Sequence, residues 1–137
     1  MLNLFKKKRE KALLFIVEDN EMYLHQLKFY LENKFKDKIE IKSFKVAEIA
    51  MIELDMKPDL IIMDHFLDSK YEDASEGLIA LKEIHEKDPS IKLVLHSSKA
   101  DFSFAVETIK LGICQFIPKN HSGLEGIADV VRQIIEK

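Results

Sequence analysis

The chain has 137 residues, of which 47% are hydrophobic and 33% charged. This balance indicates one globular domain with a real core and excludes a disordered chain. The net charge of −3 argues against direct DNA binding, and no apolar stretch approaches the ~20 residues of a transmembrane segment. Cys114 is the only cysteine, which excludes an internal disulfide and favours a cytoplasmic location.

Residues 1–11 form a basic, partly apolar leader, which we interpret as a solvated tail. All the predicted secondary structure falls in residues 12–137. The first elements are a strand over Leu13–Glu18 and a helix over Glu21–Phe35, with Asn20 as its N-cap. The apolar positions of this helix are Met22, Leu24, Leu27, Leu31 and Phe35.

Ile39–Phe44 alternates with period two, as an edge strand does, and Val46–Met56 is predicted as a helix. The apolar stripe of that helix comprises Val46, Ile49, Ala50 and Leu54. The later elements are a strand over Asp59–Met63, a helix over Leu78–His85, a strand over Lys92–His96, a helix over Phe102–Leu111, a strand over Cys114–Ile117 and a helix over Leu124–Ile135. Gly112 is the stop of the fourth helix, and Ser122 is a candidate cap of the fifth. Strands and helices that alternate in this way predict a parallel sheet covered on both faces.

Acidic residues end two of the buried strands. Glu18 and Asp19 end the first strand, and Asp64 follows the third. Ligands of open parallel sheets bind at the carboxyl ends of the strands, so three carboxylates converge there if these strands are neighbours. Two carboxylates ~4 Å apart repel each other by roughly 4 kcal/mol at an intermediate dielectric constant. Such a cluster needs a cation, and a site made of oxygen ligands suits Mg²⁺.

Two more polar residues follow the remaining strands. Ser97 comes after the fourth strand, and Lys119 ends Phe116-Ile117-Pro118-Lys119 after the fifth. With the acidic pair and Asp64, this order and spacing resembles the receiver domain of bacterial two-component response regulators, similar to the chemotaxis-type single-domain regulators. The resemblance extends from about Lys11 to the end of the chain. It implies a flavodoxin-like (βα)5 doubly wound α/β sandwich, with a five-stranded parallel sheet in the order 2-1-3-4-5.

The resemblance also implies a phospho-acceptor and a metal site. Asp64 matches the phospho-accepting aspartate, and a carboxylate of this kind forms an acyl phosphate. Asp19, Asp64 and the backbone carbonyl of Phe66 would bind Mg²⁺ directly, and Glu18 would act through a bound water. The domain would catalyse only its own phosphorylation and dephosphorylation, and so would not be an enzyme in the ordinary sense.

Three other residues match the parts of the family that respond to phosphorylation. Lys119 would pair with Asp64 at rest and with a phosphoryl oxygen afterwards. Ser97 would donate a hydrogen bond to another phosphoryl oxygen, and Phe116 matches the switch aromatic. Their movement would change a protein-interaction surface on the fourth helix, fifth strand and fifth helix. The implied partners are a sensor histidine kinase or phosphotransfer protein and a downstream effector protein, because no effector domain follows Lys137.

Two stretches depart from the family pattern. The loop from Asp68 to Gly77 is longer than usual and lacks the usual proline, which affects the Phe66 carbonyl. Asn120 replaces the proline that commonly follows the lysine, so we expect a trans Lys119–Asn120 peptide bond.

Two alternatives remain open at this stage. One is a receiver-like interaction module that is never phosphorylated, although the chain retains Asp64 and Lys119, whose loss usually marks such modules. Another is a haloacid-dehalogenase-type phosphatase, which requires an acid at the position of Phe66. His65 and His96 flank the proposed pocket, but they lack a third ligand at metal-binding spacing, so a transition-metal site is a poor interpretation and we favour second-shell or solvent roles for both.

Overall fold

The computed structural model describes residues 10–64, 76–98, 106, 110 and 112–137. Its strands are β1 (Ala12–Val17), β2 (Ile39–Phe44), β3 (Leu60–Asp64), β4 (Lys92–Ser97) and β5 (Gln115–Pro118). Its α-helices are α1 (Glu21–Phe35), α2 (Ala47–Ile52), α3 (Glu76–Lys87) and α4 (Gly123–Ile135), and Lys36–Lys38 and Leu54–Met56 are short 3₁₀ helices. The leader and the loop after Asp64 fall largely outside the described ranges.

The five strands form one parallel sheet in the order β2-β1-β3-β4-β5, which confirms the predicted fold. The uninterrupted apolar runs of β1, β3 and β4 are buried because helices cover both faces of the sheet. Helices α2 and α3 contribute to the hydrophobic cluster on one face, and α1 and α4 contribute to that on the other. This arrangement leaves the carboxyl ends of the strands as the polar edge.

Helix α1 begins as predicted. The side chain of Asn20 accepts a hydrogen bond from the Tyr23 backbone N–H at 3.0 Å, which satisfies a donor of the first turn. The buried residues of α1 are Leu24, Leu27, Leu31 and Phe35. Met22 was wrongly included in the apolar stripe, since it is 82% exposed. One position in the first turn therefore departs from an otherwise correct helical pattern.

Helix α2 is shorter than predicted. It spans Ala47–Ile52, a 3₁₀ helix follows, and Val46 is its N-cap. Its buried residues are Ala47 and Ala50, whereas Ile49 is exposed. The predicted stripe was therefore partly wrong, because small alanines allow the helix to approach the sheet closely and the larger aliphatic residues point outward.

The fourth predicted helix, Phe102–Leu111, falls mostly outside the described residues. Val106 and Lys110 are described, and both are helical. Gly112 has a φ of 66°, the left-handed conformation common just after a helix. The predicted stop at this glycine therefore agrees with its backbone geometry.

Helix α4 lies very close to β5 and the turn that follows it. A Cβ atom at Gly123 would lie 2.5 Å from the Pro118 carbonyl oxygen, and one at Gly126 would lie 3.1 Å from a methyl carbon of Ile117. Ser122 precedes α4 as predicted, but its hydroxyl donates to the Asn120 side chain at 2.9 Å instead of capping the helix. The beginning of α4 is thus packed directly against the segment that carries Lys119.

Candidate functional site

Three carboxylates meet at the carboxyl edge of the sheet. β1 and β3 are neighbours, with Val17 opposite Met63, so Glu18 and Asp19 lie beside Asp64. One carboxylate oxygen from each of these three acids lies within 4.8 Å of the other two. Glu18 is 3% exposed and Asp64 6%, whereas Asp19 is partly exposed. Two of the three acids are therefore buried, and the cluster is accessible to solvent at Asp19.

Lys119 brings an ammonium group into this cluster. Its Nζ donates a hydrogen bond to Glu18 Oε1 at 2.6 Å and lies 3.3 Å from Asp64 Oδ1. The Lys119 backbone N–H donates to the Ser97 carbonyl at 2.8 Å, which fixes the turn after β5 to the end of β4. The resting lysine is thus shared between two acids and is closer to Glu18 than to Asp64.

Burial and a neighbouring acid both disfavour the charged form of Asp64. Burial, followed by repulsion from Glu18, raises the pKa of Asp64 to about 7, although Lys119 acts in the opposite direction. Lys119 therefore does not offset the combined effect of burial and the Glu18 carboxylate. A divalent cation bound by carboxylate oxygens would relieve this repulsion, and the donor set fits Mg²⁺.

The remaining predicted site residues have different positions. Ser97 is the last residue of β4 and is fully buried, one residue beyond the pairing of Asp64 with His96. Phe116 lies in β5 opposite Leu95 and is partly buried against the α2–α3 side of the core. Phe66 and the loop around it lie outside the described residues.

The turn after Lys119 has the expected trans peptide bond to Asn120, since no cis bond occurs in the described segments. The Asn120 side chain accepts hydrogen bonds from the backbone N–H and the hydroxyl of Ser122, at 3.0 and 2.9 Å. An asparagine turn of this kind orders the segment without a proline.

His96 is 1% exposed, so it has no solvent role. Its Nδ1 lies 2.7 Å from the Ile117 carbonyl oxygen and its Nε2 lies 2.5 Å from the Tyr23 hydroxyl. Burial lowers the pKa of His96 to about 4, which keeps the ring neutral. Both ring nitrogens already have protein partners, so the geometry disfavours a transition-metal site here.

Sequence reasoning did not identify Tyr23 as part of the site. Its ring centroid lies 4.4 Å from Lys119 Nζ and 5.5 Å from the centre of the His96 ring. Burial, and then the charges of Glu18 and Asp64, raise the pKa of Tyr23 to about 12. The signal available in the sequence was an aromatic residue in the first turn of the helix that follows the acidic pair.

Residues 14–131 match the response regulator receiver domain family. The chain belongs to this family. Receiver domains act in two-component signal transduction, accept phosphoryl groups, and are generally not true enzymes. They typically bind Mg²⁺ at an acidic pocket and interact with histidine kinases and effectors. This membership favours the receiver interpretation over the phosphatase alternative.

Solved structures support the fold of this receiver domain. The receiver domain of a putative Luxo repressor protein from Vibrio parahaemolyticus is 20% identical, with a TM-score of 0.75, and the alignment covers 92% of this chain and 91% of that one. A response regulator from Thermotoga maritima is 23% identical, with a TM-score of 0.74 and coverage of 93% and 99%. A CheY-like receiver domain from Methanospirillum hungatei is 19% identical, with a TM-score of 0.73 and coverage of 92% and 95%. A search of curated proteins found no match.

None of the helices in the described ranges combines the length and apolar character that crossing a membrane requires.

Proposed function

We propose that Asp64 of this receiver domain accepts a phosphoryl group from a histidine kinase or phosphotransfer protein in the presence of Mg²⁺. The observation that carries the proposal is the meeting of three carboxylates, with oxygens within 4.8 Å of one another, beside the ammonium of Lys119. A carboxylate in this position is a nucleophile, and a neighbouring cation neutralises the incoming phosphoryl oxygens.

In the proposed step, a carboxylate oxygen of Asp64 attacks the phosphorus atom of the phosphohistidine. A new oxygen–phosphorus bond forms as the phosphorus–nitrogen bond breaks, and the imidazole nitrogen leaves with the electron pair. Bound Mg²⁺ would supply charge neutralisation at the phosphoryl oxygens. The residues proposed to hold the metal are Asp19, Asp64 and, through its backbone carbonyl, Phe66, with Glu18 acting through water.

Lys119 and Ser97 have separate roles in this proposal. The ammonium of Lys119 already lies 3.3 Å from Asp64 Oδ1, so a short movement brings it to a phosphoryl oxygen. The Ser97 hydroxyl would donate to another phosphoryl oxygen from the end of β4. Inward rotation of Phe116 would follow, and the surface near β5 and α4 would present the new state to an effector protein.

The wider setting remains part of the proposal. Residues 12–137 would form the receiver domain, because β1 begins at Ala12 and the family match starts two residues later. Residues 1–11 would be a basic leader. The cytoplasm suits a protein with one cysteine, Cys114, whose thiol is partly buried and has a pKa that burial raises to about 11.

A labelling experiment tests this function. The protein is incubated with phosphoramidate and Mg²⁺, the product is reduced with borohydride, and the modified residue is located by peptide mass spectrometry. We expect one phosphoryl group on wild type, none on Asp64→Asn, and normal labelling of Asp59→Asn, which changes the aspartate before the same strand. Equal labelling of Asp64→Asn and wild type would show that the acceptor is wrongly assigned. Absence of labelling on wild type would favour the non-phosphorylated interaction module.

A further inference from the structure

Tyr23 holds a position that the phosphoryl chemistry itself does not require. The Nζ of Lys119 lies 4.4 Å from the centroid of the Tyr23 ring, within the range of a cation–π interaction. The same Nζ contacts Glu18 and Asp64. The ammonium therefore lies between two carboxylates and an aromatic ring, and the ring limits how far it can move away from the acids.

Hydrogen bonds to a buried histidine fix the orientation of this ring. The Ile117 carbonyl can only accept, so His96 Nδ1 carries the proton and donates to it. In a neutral ring, Nε2 then has no proton and accepts from the Tyr23 hydroxyl. The result is a directed chain from Tyr23 through His96 to the backbone of β5.

The three residues of this hydrogen-bonded chain belong to three different elements. Tyr23 is in the first turn of α1, which Asn20 caps, and His96 is in β4 next to Ser97. Ile117 is in β5, two residues before Lys119. The backbone that carries the lysine and the ring that contacts its ammonium are therefore connected through a single histidine side chain.

We propose that Tyr23 is a positioning residue for Lys119 and that His96 anchors it. The ring would keep the ammonium close to Asp64 when a phosphoryl group arrives, and the hydroxyl would keep the ring in place. The consequence for phosphorylation rests on the proposed function of Asp64. The placement of Lys119 by Tyr23 does not rest on it, and the two are tested separately.

The experiment compares wild type with Tyr23→Leu, Tyr23→Phe and Tyr30→Leu. Leucine removes the ring and the hydroxyl, whereas phenylalanine removes only the hydroxyl. Tyr30→Leu is the matched control, because Tyr30 is also partly buried on α1 and also has a lysine near its ring, Lys34 at 5.7 Å. If the two leucine variants lose similar amounts of stability, a difference between them in labelling can be attributed to the loss of the Tyr23 ring from the site.

The first readout is the rate of labelling with phosphoramidate at saturating Mg²⁺. We expect Tyr23→Leu to slow it about fivefold, the size typical of a partly exposed cation–π contact. Tyr23→Phe keeps the ring but loses its hydrogen bond to His96, so its rate should lie between those of Tyr23→Leu and wild type. Tyr30→Leu should match wild type. A wild-type rate in Tyr23→Leu, or an equal loss in Tyr30→Leu, overturns the positioning role, and a wild-type rate in Tyr23→Phe overturns the anchoring role of His96.

The second readout is NMR of the unphosphorylated protein without Mg²⁺. The ring current of Tyr23 should shift the ε-methylene protons of Lys119 upfield, and that shift should disappear in Tyr23→Leu and remain in Tyr30→Leu. The ring nitrogens of His96 should report a proton on Nδ1 in wild type. If wild type takes no label, the proposed function fails, and the NMR shifts alone then test whether Tyr23 positions Lys119. An unchanged Lys119 signal in Tyr23→Leu overturns that positioning role whether or not the wild type is labelled.

Discussion

An aspartate lies at each end of β3, and the two aspartates have very different surroundings. Asp59, just before the strand, accepts a hydrogen bond from the Leu13 backbone N–H through Oδ2 at 2.8 Å. Its own backbone N–H donates to the Leu13 carbonyl at 2.8 Å, and its carbonyl accepts from Lys92 N–H at 3.2 Å. Asp64, the last residue of the strand, faces Glu18 and shares a lysine with it. One aspartate joins strands together, and the other is held among like charges.

This difference extends along the whole sheet. The buried polar side chains identified among the described residues are Glu18, Asp64, His96 and Ser97, and all lie at or just beyond the carboxyl ends of strands. At the amino edge, a carboxylate satisfies a backbone donor and so contributes to stability. At the carboxyl edge, the carboxylates lie close to one another and to the ammonium of Lys119, an arrangement that costs stability unless a cation offsets their repulsion. The predictions below test this contrast, from the largest expected effect to the smallest.

Removal of Lys119 should have the largest effect on folding. Lys119→Met leaves two buried carboxylates without their cation, and we expect a loss of about 3 kcal/mol in the free energy of unfolding without Mg²⁺. Lys92→Met, an exposed change at the amino edge, should stay within ~0.5 kcal/mol of wild type. Urea unfolding measures both. Mg²⁺ should reduce the difference in unfolding free energy between Lys119→Met and wild type. Similar losses in Lys119→Met and Lys92→Met would contradict the proposed difference between the two edges of the sheet.

The second-largest expected effect is a loss of Mg²⁺ affinity. Asp19→Asn should weaken Mg²⁺ binding by about 100-fold, because loss of a direct ligand should cost at least as much as the largest losses seen for residues that only hydrogen-bond to a ligand. Asp59→Asn should bind Mg²⁺ like wild type, because its carboxylate lies at the other edge. Titration followed by two-dimensional NMR gives both affinities. The proposed ligand set is wrong if Asp19→Asn retains the wild-type affinity.

A smaller effect is expected at the amino edge. Asp59→Ala leaves the buried Leu13 N–H without its acceptor, which should cost about 1–2 kcal/mol of unfolding free energy. Asp59→Asn retains an oxygen that can accept this hydrogen bond and should lose less. Thermal and urea unfolding at neutral pH distinguish the two. Equal losses in both variants would mean that the carboxylate charge, rather than the hydrogen bond, stabilises this edge.

A separate expected effect, measured as a slope against pH and not as a single loss, is a dependence of stability on pH. The pKa of Asp64 is raised from 3.8 to about 7, so between these values the folded chain keeps a proton that the unfolded chain has lost. Stability without Mg²⁺ should therefore fall as the pH rises through this window. Asp64→Asn lacks this titration, so its stability relative to wild type should increase from pH 4 to pH 7. A constant difference across that range would show that the pKa of Asp64 is not raised in the folded protein.

The sequence predicted the sheet well because uninterrupted apolar runs are a strong local signal. Strand boundaries were correct to within one residue, and the order followed from the resemblance. Met22 and Ile49 were misassigned because the first turn of α1 and the short helix α2 each carry too few positions to define a buried face. In α2, the alanines pack close to the sheet and the larger Ile49 points into solvent.

The sequence predicted only those contacts in the site that are made by residues at the carboxyl ends of strands. Glu18, Asp64 and Lys119 each end or follow a strand, so topology alone brings them together. The contact between Tyr23 and His96 joins residues 73 positions apart and depends on the angle at which α1 crosses the sheet. No local pattern encodes that angle. The sharing of Lys119 with Glu18 was likewise missed, because it depends on how far each side chain reaches.

Gly123 gives the domain a mechanical property. Because a single methyl group there would collide with the Pro118 carbonyl, α4 rests directly on the peptide that precedes Lys119. The Gly123 backbone N–H also donates to the Asn120 carbonyl at 2.9 Å, so a displacement of the backbone at Lys119 in either direction would be transmitted to the first turn of α4. The missing side chain at Gly123 thus couples the position of the lysine to the position of the helix.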